Sequence, residues 1–121
     1  MTIELMLPLA TPSQNAFHFS HWRKAHKSKQ DMAKALLGAI GNSGQMQAMK
    51  ATGKRRLTIV RFGVRKLDIP NLIGGAKGLI DSLVAYGLLK DDDEDHLELV
   101  AMNGRRAKGQ DPHTRLVLDD I

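Results

Sequence analysis

An unbroken run of acids, Asp91-Asp92-Asp93-Glu94-Asp95, and a separate acid upstream, Asp68, are the side chains best suited to chemistry in this chain. Hard carboxylate oxygens are what Mg²⁺ or Mn²⁺ requires, and acids drawn from separate points of a chain are usual in such sites. Lys77 lies between them, with Asp81 four residues on. Beside a metal its ammonium can stabilise charge that develops on a cleaved phosphate. Taken alone, Lys77 and Asp81 make an ordinary helix ion pair worth about 0.3–0.5 kcal/mol. Asp68 can equally do no more than cap a helix, and the acid run can be a solvated turn.

Other chemistries are excluded. There is no cysteine, which removes disulfides, thiolate zinc sites, iron–sulfur clusters and cysteine nucleophiles. Asp91, Asp93 and Asp95 imitate the start of a calcium-binding EF-hand loop, but the loop then needs Gly and Glu where His96 and Met102 stand. His18, His21 and His26 have no cysteine beside them, and with Arg23, Lys24 and Lys27 they fit a phosphate-facing patch better than zinc. Trp22 can stack on an unpaired base or serve as core.

Charge supports a polyanionic partner. The chain has 121 residues and a net charge of +5. Residues 1–66 hold twelve Lys and Arg against Glu4 and Asp31, whereas residues 67–121 hold six against eleven acids. A basic half attracts nucleic acid; a dense acidic half repels it unless the acids hold metal cations. Candidate phosphate contacts are Arg23, Lys24, Lys27, Lys54, Arg55 and Arg56. No apolar run is long enough to span a bilayer, and the first residues have no signal-peptide pattern. A cytoplasmic setting without a membrane partner is expected.

The elements that must position these residues follow from periodicity. Length suits one domain, 1–121. Thr2–Leu7 alternates as a strand, and Pro8 and Pro12 break it. Ser20 can cap a helix running to about Leu37, with Met32, Leu36 and Ile40 on its apolar side. Residues 38–53, rich in glycine and polar residues, are expected to be a flexible loop. Arg55–Gly63 is a second strand. A helix from about Asn71 to Tyr86 buries Leu72, Ala76, Leu79, Ile80 and Leu83, and Gly87 ends it. Strands His96–Met102 and Thr114–Leu118 complete a mixed α/β (α+β) domain with a small sheet and two main helices. A helix of about 16 residues is roughly 24 Å long, so Asp68 and Asp91-Asp92 meet only if the chain after Gly87 doubles back, or across a subunit interface. Gly74, Gly75 and Gly78, costly inside a helix, imply a backbone packed close by.

The run Leu67-Asp68-Ile69-Pro70-Asn71-Leu72, Lys77 and Asp81 on the following helix, and Gly87-Leu88-Leu89-Lys90-Asp91-Asp92 resemble the signature of the RusA-type Holliday-junction resolvases of phages and prophages. Leu7-Pro8 and Pro12-Ser13 with Asn15 resemble the family's N-terminal strand and loop. The resemblance implies a homodimeric, Mg²⁺-dependent endodeoxyribonuclease (Mn²⁺ being the alternative ion) that resolves four-way DNA junctions in recombination and repair in a bacterial host. It further implies that Asp68 and Asp92 are catalytic metal ligands, that Asp91 joins them and that Lys77 is the catalytic lysine. Pro70 stands where the family pattern has a second Asp, and proline cannot ligate a metal. The alternative is therefore a catalytically impaired protein that binds DNA structure. A basic adaptor without a nucleic-acid role is the third reading.

Overall fold

Alternating side chains divide between the two faces of four strands. In β1 (Thr2–Leu7), Ile3, Leu5 and Leu7 are buried while Thr2, Glu4 and Met6 face outward. Strands β2 (Arg55–Phe62), β3 (Leu97–Asn103) and β4 (His113–Asp120) join it in one mixed sheet of order β1-β4-β2-β3. β4 runs antiparallel to both neighbours, with Leu116 opposite Leu5 on one side and Ile59 on the other. β2 and β3 are parallel, with Leu57 opposite Leu99. A parallel pair requires a crossover connection, and the segment carrying Asp68 and Lys77 supplies it. This computed structural model describes residues 1–14, 22–41 and 43–121. The roles expected for Asn15, His18, Ser20, His21 and the side chains of Trp22 and Lys24 fall outside the described residues.

Helix α1 (Trp22–Ile40) lays Met32, Leu36 and Ile40 against Leu5, Leu57, Ile59 and Leu116 of the sheet. Full burial of each such aliphatic side chain is worth about 1.5–3 kcal/mol. The helix continues one turn past the expected end at Leu37, because Ile40 extends the buried i+4 spacing; Gly41, at φ 91°, then ends it. The expected loop over 38–53 is instead the end of α1 followed by a short helix, α2 (Ser43–Ala48). Met46 and Met49 hold this stretch against the core.

The expected helix from Asn71 to Tyr86 is two helices, α3 (Ile69–Gly75) and α4 (Lys77–Ala85), meeting at Ala76. The predicted apolar stripe is nevertheless buried: Leu72, Ala76, Leu79, Ile80 and Leu83 all lie inside. The break comes from the segment after β1, which crosses at this point. Gln14 N–H donates to the Asn71 carbonyl at 3.1 Å. A Cβ on Gly75 would overlap the Pro12 carbonyl, and one on Gly74 would meet the Gln14 side chain. Close internal packing thus accounts for both glycines. Gly75→Ala should therefore cost about 1–3 kcal/mol of stability, since backbone cannot yield as a side chain can. Gly78→Ala should cost nothing and gain up to about 1 kcal/mol of helix propensity, because its Cβ would touch only the Lys29 side chain and its Cα, none nearer than 3.5 Å. Urea denaturation of both variants checks the contrast.

The helices cover one face of the sheet. The other carries the ion pairs Arg56–Glu98 at 2.6 Å and Arg115–Glu4 at 2.8 Å, with Met6 and Met102 half-exposed between strands.

Candidate active site

The turn between β2 and α3 delivers Asp68 to the surface. Asp68 is the N-cap residue of α3, with extended backbone (φ −67°, ψ 158°), and its carbonyl accepts the Leu72 amide at 3.0 Å. Its carboxylate does not cap the helix backbone; it accepts a hydrogen bond from the Asn71 side chain at 2.5 Å and stays exposed. Pro70 occupies the first turn of α3, where its fixed φ is preorganised and its missing N–H costs nothing. The approach to Asp68 is clamped from β3: Asn103 accepts from Leu67 N–H at 3.1 Å and donates to the Leu67 carbonyl at 2.8 Å. Asn103 is a positioning residue that no spacing argument reveals, because its partner lies 36 residues away.

After α4, Gly87 takes φ 84° and the chain turns back. The amides of Leu88 and Leu89 both donate to the Leu83 carbonyl, at 2.9 and 3.3 Å, and both side chains are buried. The acids are thereby carried back to the start of α4. Asp92, Glu94 and Lys77 line one hollow of about 410 Å³, walled by Ile73, Ile80 and Leu97. The chain does double back after Gly87, and it places Asp92 in the same hollow as Lys77.

It does not join all three expected ligands. Among the described residues, the one trio of acid or histidine side chains with ligand atoms mutually within 4.8 Å is Asp91, Asp93 and His96. Asp68, Asp91 and Asp92 do not converge to that distance within one chain. The acid run is an ordered turn rather than a loose loop: Asp91 Oδ1 accepts the Asp92 amide at 2.8 Å, and the Asp93 carbonyl accepts the amides of His96 and Leu97. His96 Nδ1 lies 2.6 Å from Asp93 Oδ1. Lys77 Nζ is 3.7 Å from Asp81, and Lys29 of α1 shares the same carboxylate at 3.4 Å. The ordinary ion pair exists, then, but Lys77 remains largely exposed and faces the hollow as well.

The expected phosphate contacts divide. Arg23 and Lys27 are exposed on the first turns of α1, and Lys54 is exposed before β2. Arg56 is committed to Glu98. Arg55 is not a DNA contact: it is 2% exposed, and its donors go to Asp120 at 2.8 Å and to the carbonyls of Met49, Leu88 and Lys50 at 2.6, 2.9 and 3.3 Å. A buried guanidinium with its donors engaged cannot reach a phosphate. Strand alternation carried that signal, since Arg55 shares a face with Leu57 and Ile59.

No helix among the described residues is long and apolar enough to cross a membrane. No protein-family model matches this chain, and no curated protein matches it.

Proposed function

We propose that this protein is a metal-dependent endodeoxyribonuclease acting on branched DNA as a homodimer, in the manner of the RusA-type resolvases that its motifs resemble. The observation that carries the reading is that Lys77, Asp92 and Glu94 line one hollow. Glu94 lines the same hollow as Asp92 and is a second carboxylate there, whereas Pro70 supplies none. The donors are hard oxygens, the set that suits Mg²⁺ or Mn²⁺. In this reading Asp92 would be a ligand of the metal, with Asp68 and Asp91 able to join it only across a subunit interface, and the metal would supply a more acidic bound water and neutralise phosphate charge. Lys77 lines the hollow and is largely exposed, so its ammonium would be available to the non-bridging oxygens of a scissile phosphate. A four-way junction needs two symmetric cuts, which a two-fold dimer provides.

The second reading, a binder of the same DNA that does not cut it, is favoured by the failure of Asp68, Asp91 and Asp92 to converge within one chain. Incubation of a synthetic four-way junction with and without Mg²⁺ or Mn²⁺ separates the two. Paired, metal-dependent incisions are expected. Binding without incision supports the second reading. Neither binding nor incision overturns both and leaves the basic adaptor.

A further inference from the structure

Five cations converge on a hollow that the proposed chemistry leaves unused. It lies beyond the carboxyl ends of the parallel strands β2 and β3, between residues 63–66 and 103–106, and has a volume of about 230 Å³. Arg61, Arg65, Lys66, Arg105 and Arg106 line it, and no acid does. Five cations elsewhere in the fold have acidic partners: Arg55 has Asp120, Arg56 has Glu98, Arg115 has Glu4, and Lys29 and Lys77 share Asp81. Among the described residues none of the five is in an ion pair. Crowded like charges raise the local potential and concentrate anions.

The hollow is also built. Arg61 is fixed by Nε to the Thr11 carbonyl at 2.6 Å and by Nη1 to the Arg65 carbonyl at 2.8 Å. Arg106 is fixed by Nε to the Gly63 carbonyl at 3.1 Å and by Nη1 to the Gln110 carbonyl at 2.8 Å. The Gly104 amide donates to the Arg61 carbonyl at 2.8 Å, which ties the two turns together. Two anchored guanidiniums thus form the wall, and the exposed Arg65, Lys66 and Arg105 form the rim. Planar guanidinium groups of this kind are suited to phosphate oxygens, and ligands commonly bind beyond the carboxyl ends of parallel strands. No aromatic ring lines the hollow, so it offers nothing for a base to stack on.

We propose that this hollow binds a phosphate of the DNA backbone and sets the position of that strand relative to Asp68, which follows Lys66 by two residues. The proposal rests on the branched-DNA reading and adds a binding surface to it. The contribution of Arg105 and Arg106 is invisible in the charge segregation, because they belong to the half of the sequence that is acidic overall.

The test is binding of a labelled four-way junction in EDTA across a salt series, so that no incision contributes. In the triple variant Arg65→Gln, Lys66→Gln, Arg105→Gln, affinity should fall, and the slope of log K against log salt should shrink by about 0.7–0.9, the loss of one phosphate contact. The anchored Arg61 and Arg106 are left in place to preserve the fold. A control that removes equal charge elsewhere, Lys34→Gln, Lys50→Gln, Lys90→Gln, should keep the original slope. An unchanged slope in the first variant, or an equal loss in the control, overturns the hollow as a phosphate site while leaving metal-dependent cleavage as a separate result. No junction binding by the unchanged protein overturns both.

Discussion

Asp92→Asn is expected to remove junction cleavage, by more than about 100-fold, while binding stays equal or tightens. Asp92 is the one expected metal ligand that the fold brings into the same hollow as Lys77. Asparagine keeps its shape and one carbonyl oxygen but loses the charge that holds a divalent cation. Losing a group that merely orients a ligand typically costs 10–100-fold, so losing a ligand itself should exceed that. Removing a negative charge near the path of a phosphodiester also lowers repulsion in the bound state. Single-turnover cleavage beside binding in EDTA separates the two effects. If the variant cuts at the original rate, Asp92 is not a ligand. If Glu94→Gln then abolishes cutting, the neighbouring acid holds the metal instead.

Arg55→Met should lower stability by about 3 kcal/mol, because three backbone carbonyls lose the donor they share. Methionine fills much of the volume but donates nothing. The carbonyls of Met49, Lys50 and Leu88 then lose their donor, each at about 1–3 kcal/mol where water cannot enter. Asp120 adds little to that loss, since its side chain is 40% exposed and returns to water. The pH dependence supplies a separate signature. The hydrogen bond from Arg55 holds the Asp120 carboxyl below its ordinary value, with the Met1 ammonium adding to it and desolvation opposing. A carboxyl with a depressed folded pKa contributes stability above its unfolded value, near 3.9, and loses it as pH falls through the folded value. Unfolding free energy should therefore fall less steeply below about pH 4 in Arg55→Met than in the unchanged protein. A loss under about 1 kcal/mol, with the acid limb unaltered, would mean that water replaces the guanidinium.

Local order was legible where one periodicity acted alone. The stripe Leu72, Ala76, Leu79, Ile80 and Leu83 and the alternation of Ile3, Leu5 and Leu7 are buried as their spacing requires. The break at Ala76 was not legible, because it is imposed by Pro12–Gln14, some sixty residues earlier in the chain. In residues 38–53, abundant glycine and glutamine masked the two methionines that anchor the stretch. Arg55 was misjudged because Lys54 and Arg56 beside it suggested a basic patch, although its strand phase places it inward. At the site, spacing alone could require that the chain double back after Gly87. Only tertiary structure could say that Asp92 and Glu94 then line one hollow with Lys77 and that Asn103 holds the turn before Asp68. The cationic hollow was hidden for the same reason, being assembled from two turns about forty residues apart.

The strand order has a consequence for how the chain is made. β4 is inserted between β1 and β2, and it is the last element in the sequence. At roughly 5–20 residues per second during synthesis, β1 waits about 5–20 seconds for residues 113–120, its only strand partner among the described residues. Until then its hydrogen-bonding edge has no strand to pair with, although α1 can already cover its leucines, and the sheet cannot close by local steps. Such distant pairing slows folding and leaves strand edges open to association. A ribosome-bound chain stalled before Thr114 is therefore the form of this protein most in need of a chaperone.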